Sequence, residues 1–335
     1  MKKSFIITID TEGDNIWSRS IDVKVENAKY LIRFQNLCDK YGFKVTYLTN
    51  YEMAESKDFI KLGKSIINNN TGEIGMHLHA WHSPPYFKLT DNDYKHHPYL
   101  IEYPLEVIDK KVKFMTKLLE DKFGVNIVSH RAGRWAFNKG YAKILVDNGY
   151  KIDCSVTPGI SWCEQLGDPN GMGGTDYTDF LTNSYFIDLN NISQEGMSTL
   201  LEVPVTILSN YMVYPKLSIL IKLFKDIYKR IGLPRKIINH DLIGVLDRIY
   251  PKSIWLRPDK NNLTQMIKIV DYSVLNNFDY IEFMVHSSEL MPGGSPRFKS
   301  RESVDKLYQN LNLLFNHISN NYKGTTLQEY YKNKH

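Results

Sequence analysis

Short apolar runs alternate with longer segments of helical character through the first half of the chain, and this alternation constrains the fold most. Repeated strand–helix units imply parallel strands covered by outer helices. In such folds functional residues collect at the carboxyl ends of the strands. The expected strands cover residues 4–9, 44–48, 73–79, 126–129 and 151–155, and the expected helices cover 23–40, 58–69, 104–123 and 138–148.

The second half of the sequence is less regular. Residues 157–196 are rich in Gly, Asn and Asp and predict a long loop with little strand content. We therefore expect one α/β domain over residues 1–335, with an irregular and helical insertion at 157–260. The further expected elements are strands at 200–208 and 279–285 and helices at 215–230, 236–249, 261–276 and 300–320.

Composition argues against several classes of protein. The 335 residues carry a net charge of +5, with acids and bases interspersed, which gives little support to nucleic-acid binding. Cys38, Cys154 and Cys163 lack metal-type spacing and are odd in number, which predicts a reducing compartment and no disulfide framework. No apolar run is long enough to span a bilayer, and the one after Lys3 is too short for a signal peptide. We expect a cytoplasmic protein.

Three imidazoles follow a predicted strand, in the run Glu73-Ile-Gly-Met-His77-Leu-His79-Ala-Trp-His82. If the strand continues that far, His77 and His79 point to the same side, because side chains alternate with period two. Two neutral imidazoles on one face supply half of a zinc-type site. The alternative is that one histidine packs in a loop and another caps a turn. The spacing favours the metal site.

Acidic residues follow the first predicted strand in a similar way. Asp10, Glu12 and Asp14 alternate where the apolar run Ser4–Ile9 stops, so Asp10 and Glu12 share a face if the strand persists. Acids beside Gly13 are also common in turns and helix caps. Both interpretations stay open for these residues alone, and the nearby histidine pattern favours a site.

Three further polar residues fall at or near predicted strand ends: Arg131, Asp153 and His286. An imidazole such as His286 titrates near neutral pH and suits proton transfer. Taken alone, His286 is more readily interpreted as a loop histidine bonded to backbone. The shared position at the strand ends is the stronger signal.

The ordered set resembles the polysaccharide deacetylases of the NodB-homology type, carbohydrate esterase family 4. That family has an acidic pair, a histidine metal motif, an arginine motif, an aspartate motif and a final apolar-x-His. The corresponding segments here are Asp10-Thr-Glu12, Gly75-Met-His77-Leu-His79-Ala-Trp81, His130-Arg131-Ala-Gly-Arg134-Trp135, Ile152-Asp153-Cys-Ser-Val-Thr-Pro158 and Met284-Val-His286. The resemblance implies a distorted (β/α) barrel of about seven parallel strands, a divalent metal and removal of an N-acyl group from a sugar.

The metal motif departs from the family pattern. The family's two histidines lie four residues apart, whereas the residue four after His77 is Trp81, which cannot ligate a metal. The strand alternation favours Glu12, His77 and His79 as ligands, with His82 in reserve. Imidazole and carboxylate accept Zn, most readily, or Co, Ni or Mn.

The chemistry of amide hydrolysis suggests a role for each remaining residue. We expect Asp10 to act as the general base, Arg131 to orient it, and His286 to protonate the leaving amine. Asp153 is the residue expected to keep His286 protonated. Trp81 and Trp135 either give the sugar an aromatic platform or pack at the rim.

The substrate and partners are less constrained. A cytoplasmic location favours a soluble, nucleotide-linked or lipid-linked sugar in surface-polysaccharide synthesis over a finished polymer. Residues 215–231 mix lysines with apolar residues and predict either a basic amphipathic helix touching the inner membrane face or an ordinary domain helix. A different metal-dependent amide hydrolase, such as a deformylase, and a catalytically silent glycan-binding protein remain alternatives. The sequence does not indicate an oligomeric state.

Overall fold

Parallel strands form one curled sheet that closes into a distorted half-barrel with helices around it. The computed structural model describes residues 3–14, 16, 23–81, 83–164, 173–216, 219–223 and 253–334. Eleven strands are found there: β1 Lys3–Thr11, β2 Val45–Thr49, β3 Gly72–Leu78, β4 Ser129–Ala132, β5 Ile152–Asp153, β6 Tyr185–Phe186, β7 Leu201–Glu202, β8 Ile207–Ser209, β9 Ser253–Trp255, β10 Tyr280–His286 and β11 Tyr322–Thr325.

The strand order is β10-β1-β2-β3-β4-β5-β7-β6, and β11 pairs with the first half of β1. The seven strands from β10 to β7 are mutually parallel, and β6 is an antiparallel edge. This confirms the predicted barrel. β1 is buried along nearly its whole length, as expected for a parallel strand that is covered on both faces.

Helices connect the strands and cover the sheet. The α-helices are α1 Leu31–Lys40, α2 Tyr51–Ala54, α3 Lys57–Asn68, α4 Asp93–His96, α5 Leu105–Phe123, α6 Lys139–Asp147, α7 Asn210–Val213, α8 Leu263–Leu275, α9 Arg301–Ser319 and α10 Leu327–Lys332. Local sequence explains several ends. The Asn138 side chain accepts a hydrogen bond from Tyr141 N at the start of α6, at 2.9 Å. α5 stops at Gly124, whose φ of 70° requires the left-handed conformation that glycine adopts freely.

The hydrophobic core lies between the sheet and the helices. One aromatic group shows how it is built: Phe5 of β1 packs edge-to-face on Phe43 at 4.8 Å and on Phe315 of α9 at 5.7 Å. All three rings are buried. This packing anchors β1, which pairs with β10, β2 and β11, and thereby fixes the position of its carboxyl end.

Most predicted elements are found, with shifted boundaries. The predicted strand 126–129 is wrong by three residues, because β4 runs from Ser129 to Ala132 and so contains Arg131. The predicted strand 200–208 is two strands, β7 and β8, separated by a segment that contains Pro204, which has no backbone N–H to donate. The strands β6, β9 and β11 were not predicted, and β6 lies in the segment 157–196 that was expected to be a loop.

Parts of the predicted insertion belong to the main sheet. β6 and β7 fall within residues 157–260 and extend the sheet beyond β5. The insertion boundaries themselves stay a prediction. The predicted helix 236–249, and much of the segment 215–231, lie outside the described residues. Among the residues that are described, none of the helices combines the length and apolarity needed to cross a membrane.

Candidate active site

The carboxyl ends of β1, β3, β4 and β10 meet at one edge of the sheet and carry most of the predicted site residues. In the parallel register Asp10 lies opposite His286, and His77 lies opposite Arg131. Parallel pairing therefore brings four side chains from distant parts of the chain to the same rim.

Glu12, His77 and His79 form a compact cluster at this rim. The two imidazole Nε2 atoms lie 3.1 Å apart, and Glu12 Oε2 lies 3.0 Å from Nε2 of His79 and 3.5 Å from Nε2 of His77. His77 Nδ1 lies 3.0 Å from the carbonyl oxygen of Arg131. That contact places a proton on Nδ1 and leaves the Nε2 lone pair directed at the cluster.

The donor set fits a divalent metal. Three atoms at these separations can share one centre at about 2.0–2.2 Å, the length of a zinc bond to nitrogen or carboxylate oxygen. All three residues are buried, and Glu12 Oε1 is a buried acceptor with no hydrogen-bond partner in the described part of the chain. Burial would raise the pKa of Glu12, but hydrogen bonds from His77 and His79 hold it below its usual value. The reserve ligand His82 lies outside the described residues.

Gly133 supports the cluster from behind. A β-carbon at this position would lie 2.6 Å from Nδ1 of His79 and 2.7 Å from the carbonyl oxygen of Leu78. Both distances are far below van der Waals contact. A glycine directly after β4 is therefore required for the His79 ring to occupy its place.

Asp10 is buried beside the cluster of Glu12, His77 and His79 and is paired with Arg131. Arg131 Nη1 donates to Asp10 Oδ1 at 2.7 Å, and Nη2 donates to Glu282 Oε1 at 2.7 Å. Thr8 joins the network, accepting from Nη1 at 2.9 Å and donating to Glu282. Burial would raise the pKa of Asp10, but the charge of Arg131, with smaller effects of the histidines, lowers it. Asp10 is thus held as a carboxylate.

His286 faces the two acids on one side and a second ion-pair network on the other. Its Nε2 lies 3.7 Å from Asp10 Oδ2 and 3.8 Å from Glu12 Oε1. Its Nδ1 lies 2.9 Å from Arg257 Nη2 and 3.3 Å from Glu289 Oε2. When neutral, Nδ1 accepts from Arg257, so the proton sits on Nε2. When charged, Nδ1 donates to Glu289.

Glu289 is fully buried and ionised. Burial would raise its pKa, but Arg257, His286 and Arg297 lower it below the usual range. Its Oε1 accepts from Arg257 at 3.0 Å and from Arg297 at 3.1 Å. Glu289 therefore provides the negative charge beside His286.

The structure gives Asp153 a different place from the predicted one. Among the described residues its hydrogen-bond partners are His130, at 2.6 Å, and Ser155, and it does not contact His286. Asp153 aligns with His130 in the sheet register, so both side chains lie on the face opposite to Arg131. Glu202 of β7 aligns with Asp153 in the sheet register, and burial together with the neighbouring Asp153 raises the pKa of Glu202 well above its usual value. The predicted contact of Asp153 with His286 is wrong, and Glu289 occupies that position.

An open cleft of about 400 Å³ lies above the cluster. Trp81 and Trp135, both predicted to contact substrate, line it. Trp135 is only 8% exposed and stacks under the Arg131 guanidinium, 4.9 Å from the ring centroid, so much of it serves packing. Other lining side chains that were not predicted are Tyr99, Arg134, Trp162, Arg257 and Arg297.

Some of the residues missed by sequence reasoning had a readable signal. Glu282 interrupts an otherwise apolar predicted strand, and an acid there requires a buried partner. Glu289 follows His286 by three residues, and its carboxylate accepts from the backbone N–H of His286 at 2.9 Å, as in a capping box. Arg257 had no such signal, because its segment lies far from the other motifs in sequence.

No family model and no curated protein matches the chain. Among solved structures, a protein from Mycobacterium smegmatis named as a candidate polysaccharide deacetylase matches with a TM-score of 0.52 and 12% identity, over 99% of this chain and 91% of the other. The chain shares the polysaccharide deacetylase fold. The 4-alpha-glucanotransferase of Thermococcus litoralis also matches, with a TM-score of 0.50 and 14% identity, over 100% of this chain and 41% of that one.

These two neighbours have different activities in their names. At such low identity the likeness concerns the fold, and a fold does not determine chemistry. The side chains at the rim must decide between the activities that this deacetylase-like scaffold can support.

Proposed function

We propose that this chain is a metal-dependent hydrolase that removes the N-acetyl group from an amino sugar, acting on an intermediate of surface-polysaccharide synthesis. The observation that supports it most is the convergence of Glu12, His77 and His79 within 4.8 Å of one another, beside a carboxylate and a third imidazole. Metal-assisted amide hydrolysis needs three kinds of group: metal ligands, a base and an acid.

The ligand set and the base have distinct tasks. Glu12, His77 and His79 would hold a divalent ion, zinc before cobalt, nickel or manganese, which supplies Lewis-acid activation of a water molecule and of the acyl carbonyl. Asp10 accepts the proton of the attacking water, since Arg131 keeps it ionised and oriented at 2.7 Å. Glu282 holds the other side of Arg131, which fixes the guanidinium in one position.

His286 supplies the proton for the leaving group. The Nε2 atom faces Asp10 and Glu12, where the scissile amide would lie, and the leaving sugar nitrogen must gain a proton to depart. Glu289 stabilises the charged imidazole through Nδ1. Trp81 and Trp135 would then contact the sugar ring at the cleft wall.

The decisive experiment measures acetate release from N-acetylated amino sugars together with metal content. We expect Asp10→Asn and His286→Ala to lose about 10²–10⁴-fold in kcat while retaining metal. Glu12→Gln, His77→Ala and His79→Ala should lose bound metal. His317→Ala is the matched control, because His317 bonds Asp271 at the surface.

Two results would contradict the proposed function, and a third would change its ligand set. Formate or another acid released in place of acetate would favour the alternative amide hydrolase. A protein without metal, whose properties do not change in Asp10→Asn, would favour a silent glycan-binding protein. Loss of metal in His82→Ala but not in His79→Ala would reassign the second imidazole ligand.

A further inference from the structure

Arginine side chains give the cleft a positive charge that the proposed chemistry does not use. Arg134, Arg257 and Arg297 all line the cleft and come from three different segments. Hydrolysis of a neutral N-acetyl sugar needs none of these charges beyond the contact of Arg257 with His286. Their presence therefore indicates that the substrate carries an anionic group in addition to its N-acetyl group.

The three guanidinium groups are not equally compensated. Arg257 and Arg297 share the Glu289 carboxylate, and Arg297 Nε also lies 3.3 Å from Asp259. Arg134 has no acidic partner within ion-pair distance in the described part of the chain. Its neighbour is Tyr99, whose ring lies 4.8 Å from the guanidinium carbon and whose hydroxyl accepts from Nη2 at 3.3 Å.

Arg134 is also held in an unusual backbone conformation. Its φ is 56° and that of Trp135 is 59°, so two consecutive residues other than glycine lie in the left-handed region. Such conformations are costly and cluster at functional sites. Its Nε is buried and has no hydrogen-bond partner among the described residues, which leaves a charged donor desolvated beside the cleft.

We infer that the substrate is an N-acetyl amino sugar that carries a phosphate or diphosphate, and that Arg134 binds this anion. This inference rests on the proposed function. A guanidinium donates a planar pair of N–H groups that matches phosphate oxygens. A single carboxylate would occupy one such fork, whereas a diphosphate also offers oxygens to Arg257 and Arg297, which line the same cleft and share one carboxylate. Nucleotide-linked and lipid-linked amino sugars share this group.

The test compares the metal-loaded wild-type protein with Arg134→Asn on three substrates. These are UDP-N-acetylglucosamine, a polyprenyl-diphosphate N-acetylglucosamine in detergent, and a neutral N-acetylglucosamine oligosaccharide. Asn removes the charge and tolerates the left-handed backbone. We expect Arg134→Asn to lower kcat/KM for the preferred diphosphate sugar about 10–100-fold more than for the neutral sugar, mainly through KM. Arg134→Lys should recover part of the loss, and Arg301→Gln, at an exposed position, is the control.

Binding of pyrophosphate by titration calorimetry separates this inference from the proposed function. Capture of pyrophosphate by the metal alone would survive in Arg134→Asn, whereas binding through Arg134 would weaken. Arg134-dependent binding without acetate release from any sugar would support the anion site and refute the proposed function. Acetate release from the neutral sugar at an equal kcat/KM, unaffected by the charge at position 134, would overturn the inference and leave the function standing. A preference for one of the two diphosphate sugars would show whether the diphosphate belongs to a nucleotide-linked or a lipid-linked substrate.

Discussion

Lys111 is a buried amine whose charge should destabilise the folded protein. It lies on α5 and is 1% exposed, and its Nζ donates a hydrogen bond to the carbonyl oxygen of Ser83, in the segment that follows Trp81. Among the described residues it has no carboxylate partner. Burial lowers the pKa of Lys111 from its usual 10.5 to about 8.

The shift gives both the magnitude and the sign of the effect. A difference of about 2.5 units corresponds to at most about 3 kcal/mol at 1.36 kcal/mol per unit. Lys111→Met removes this cost but leaves the Ser83 carbonyl without its donor, which costs about 1 kcal/mol. We therefore expect the free energy of unfolding at pH 7 to rise by about 1–2 kcal/mol in the variant.

The pH dependence is the sharper test. Between pH 8 and 10.5 the unfolded chain binds more protons at Lys111 than the folded chain, so wild-type stability rises with pH in this window. The advantage of Lys111→Met should shrink from pH 8 upward and reverse at about pH 10, where the remaining cost of the charge falls below that of the lost hydrogen bond. Urea denaturation across pH 7–11 measures the difference in free energy of unfolding between Lys111→Met and the wild type. The control is Lys113→Met, at an exposed position paired with Asp109. A stability difference that stays constant over this range would refute the reasoning.

Three further changes probe the rim. Gly133→Ala should displace the His79 ring and lower the metal content measured by elemental analysis, while circular dichroism still shows a folded barrel. Glu289→Gln should destabilise the protein by up to about 3 kcal/mol at pH 7, since it removes the buried carboxylate charge that Arg257 and Arg297 share. Because the folded pKa of Glu289 is lowered, the wild-type advantage in thermal melts should be complete above pH 4.5 and lost as the pH falls further. Glu282→Gln should lower kcat less than Asp10→Asn does, since Arg131 keeps its bond to Asp10; equal losses would contradict this.

Strand periodicity was sufficient to predict that the side chains of Glu12, His77 and His79 come together. His77 and His79 are two residues apart at the end of a strand, and their Nε2 atoms converge on the Glu12 carboxylate as alternation requires. Glu12 had a similar signal, because it alternates with Asp10 at the end of β1. What made both predictions work is that a parallel sheet brings strand ends to one edge regardless of loop lengths.

The same periodicity explains where the prediction for Asp153 failed. It lies at a strand end, as expected, but its register partner is His130, one residue before Arg131, so it faces the helix layer with Tyr141. A shift of one residue changes the face of a strand side chain. Without the register, the sequence cannot show on which face of the sheet Asp153 lies. The residue that does contact His286, Glu289, lies in the turn after β10, where strand alternation makes no prediction.

The two networks at the rim explain how the proposed base, Asp10, and the proposed acid, His286, can coexist in adjacent positions. Asp10 and His286 lie 3.7 Å apart, where a direct ion pair would reduce the reactivity of both. Asp10 is instead engaged from behind by the guanidinium of Arg131, and Nδ1 of His286 meets both the carboxylate of Glu289 and the guanidinium of Arg257. Arg131 and Glu289 are buried, so their charges are poorly screened by solvent. Arg131 thus keeps Asp10 ionised while Glu289 and Arg257 orient the imidazole of His286, an arrangement that suits the proposed acid–base hydrolysis.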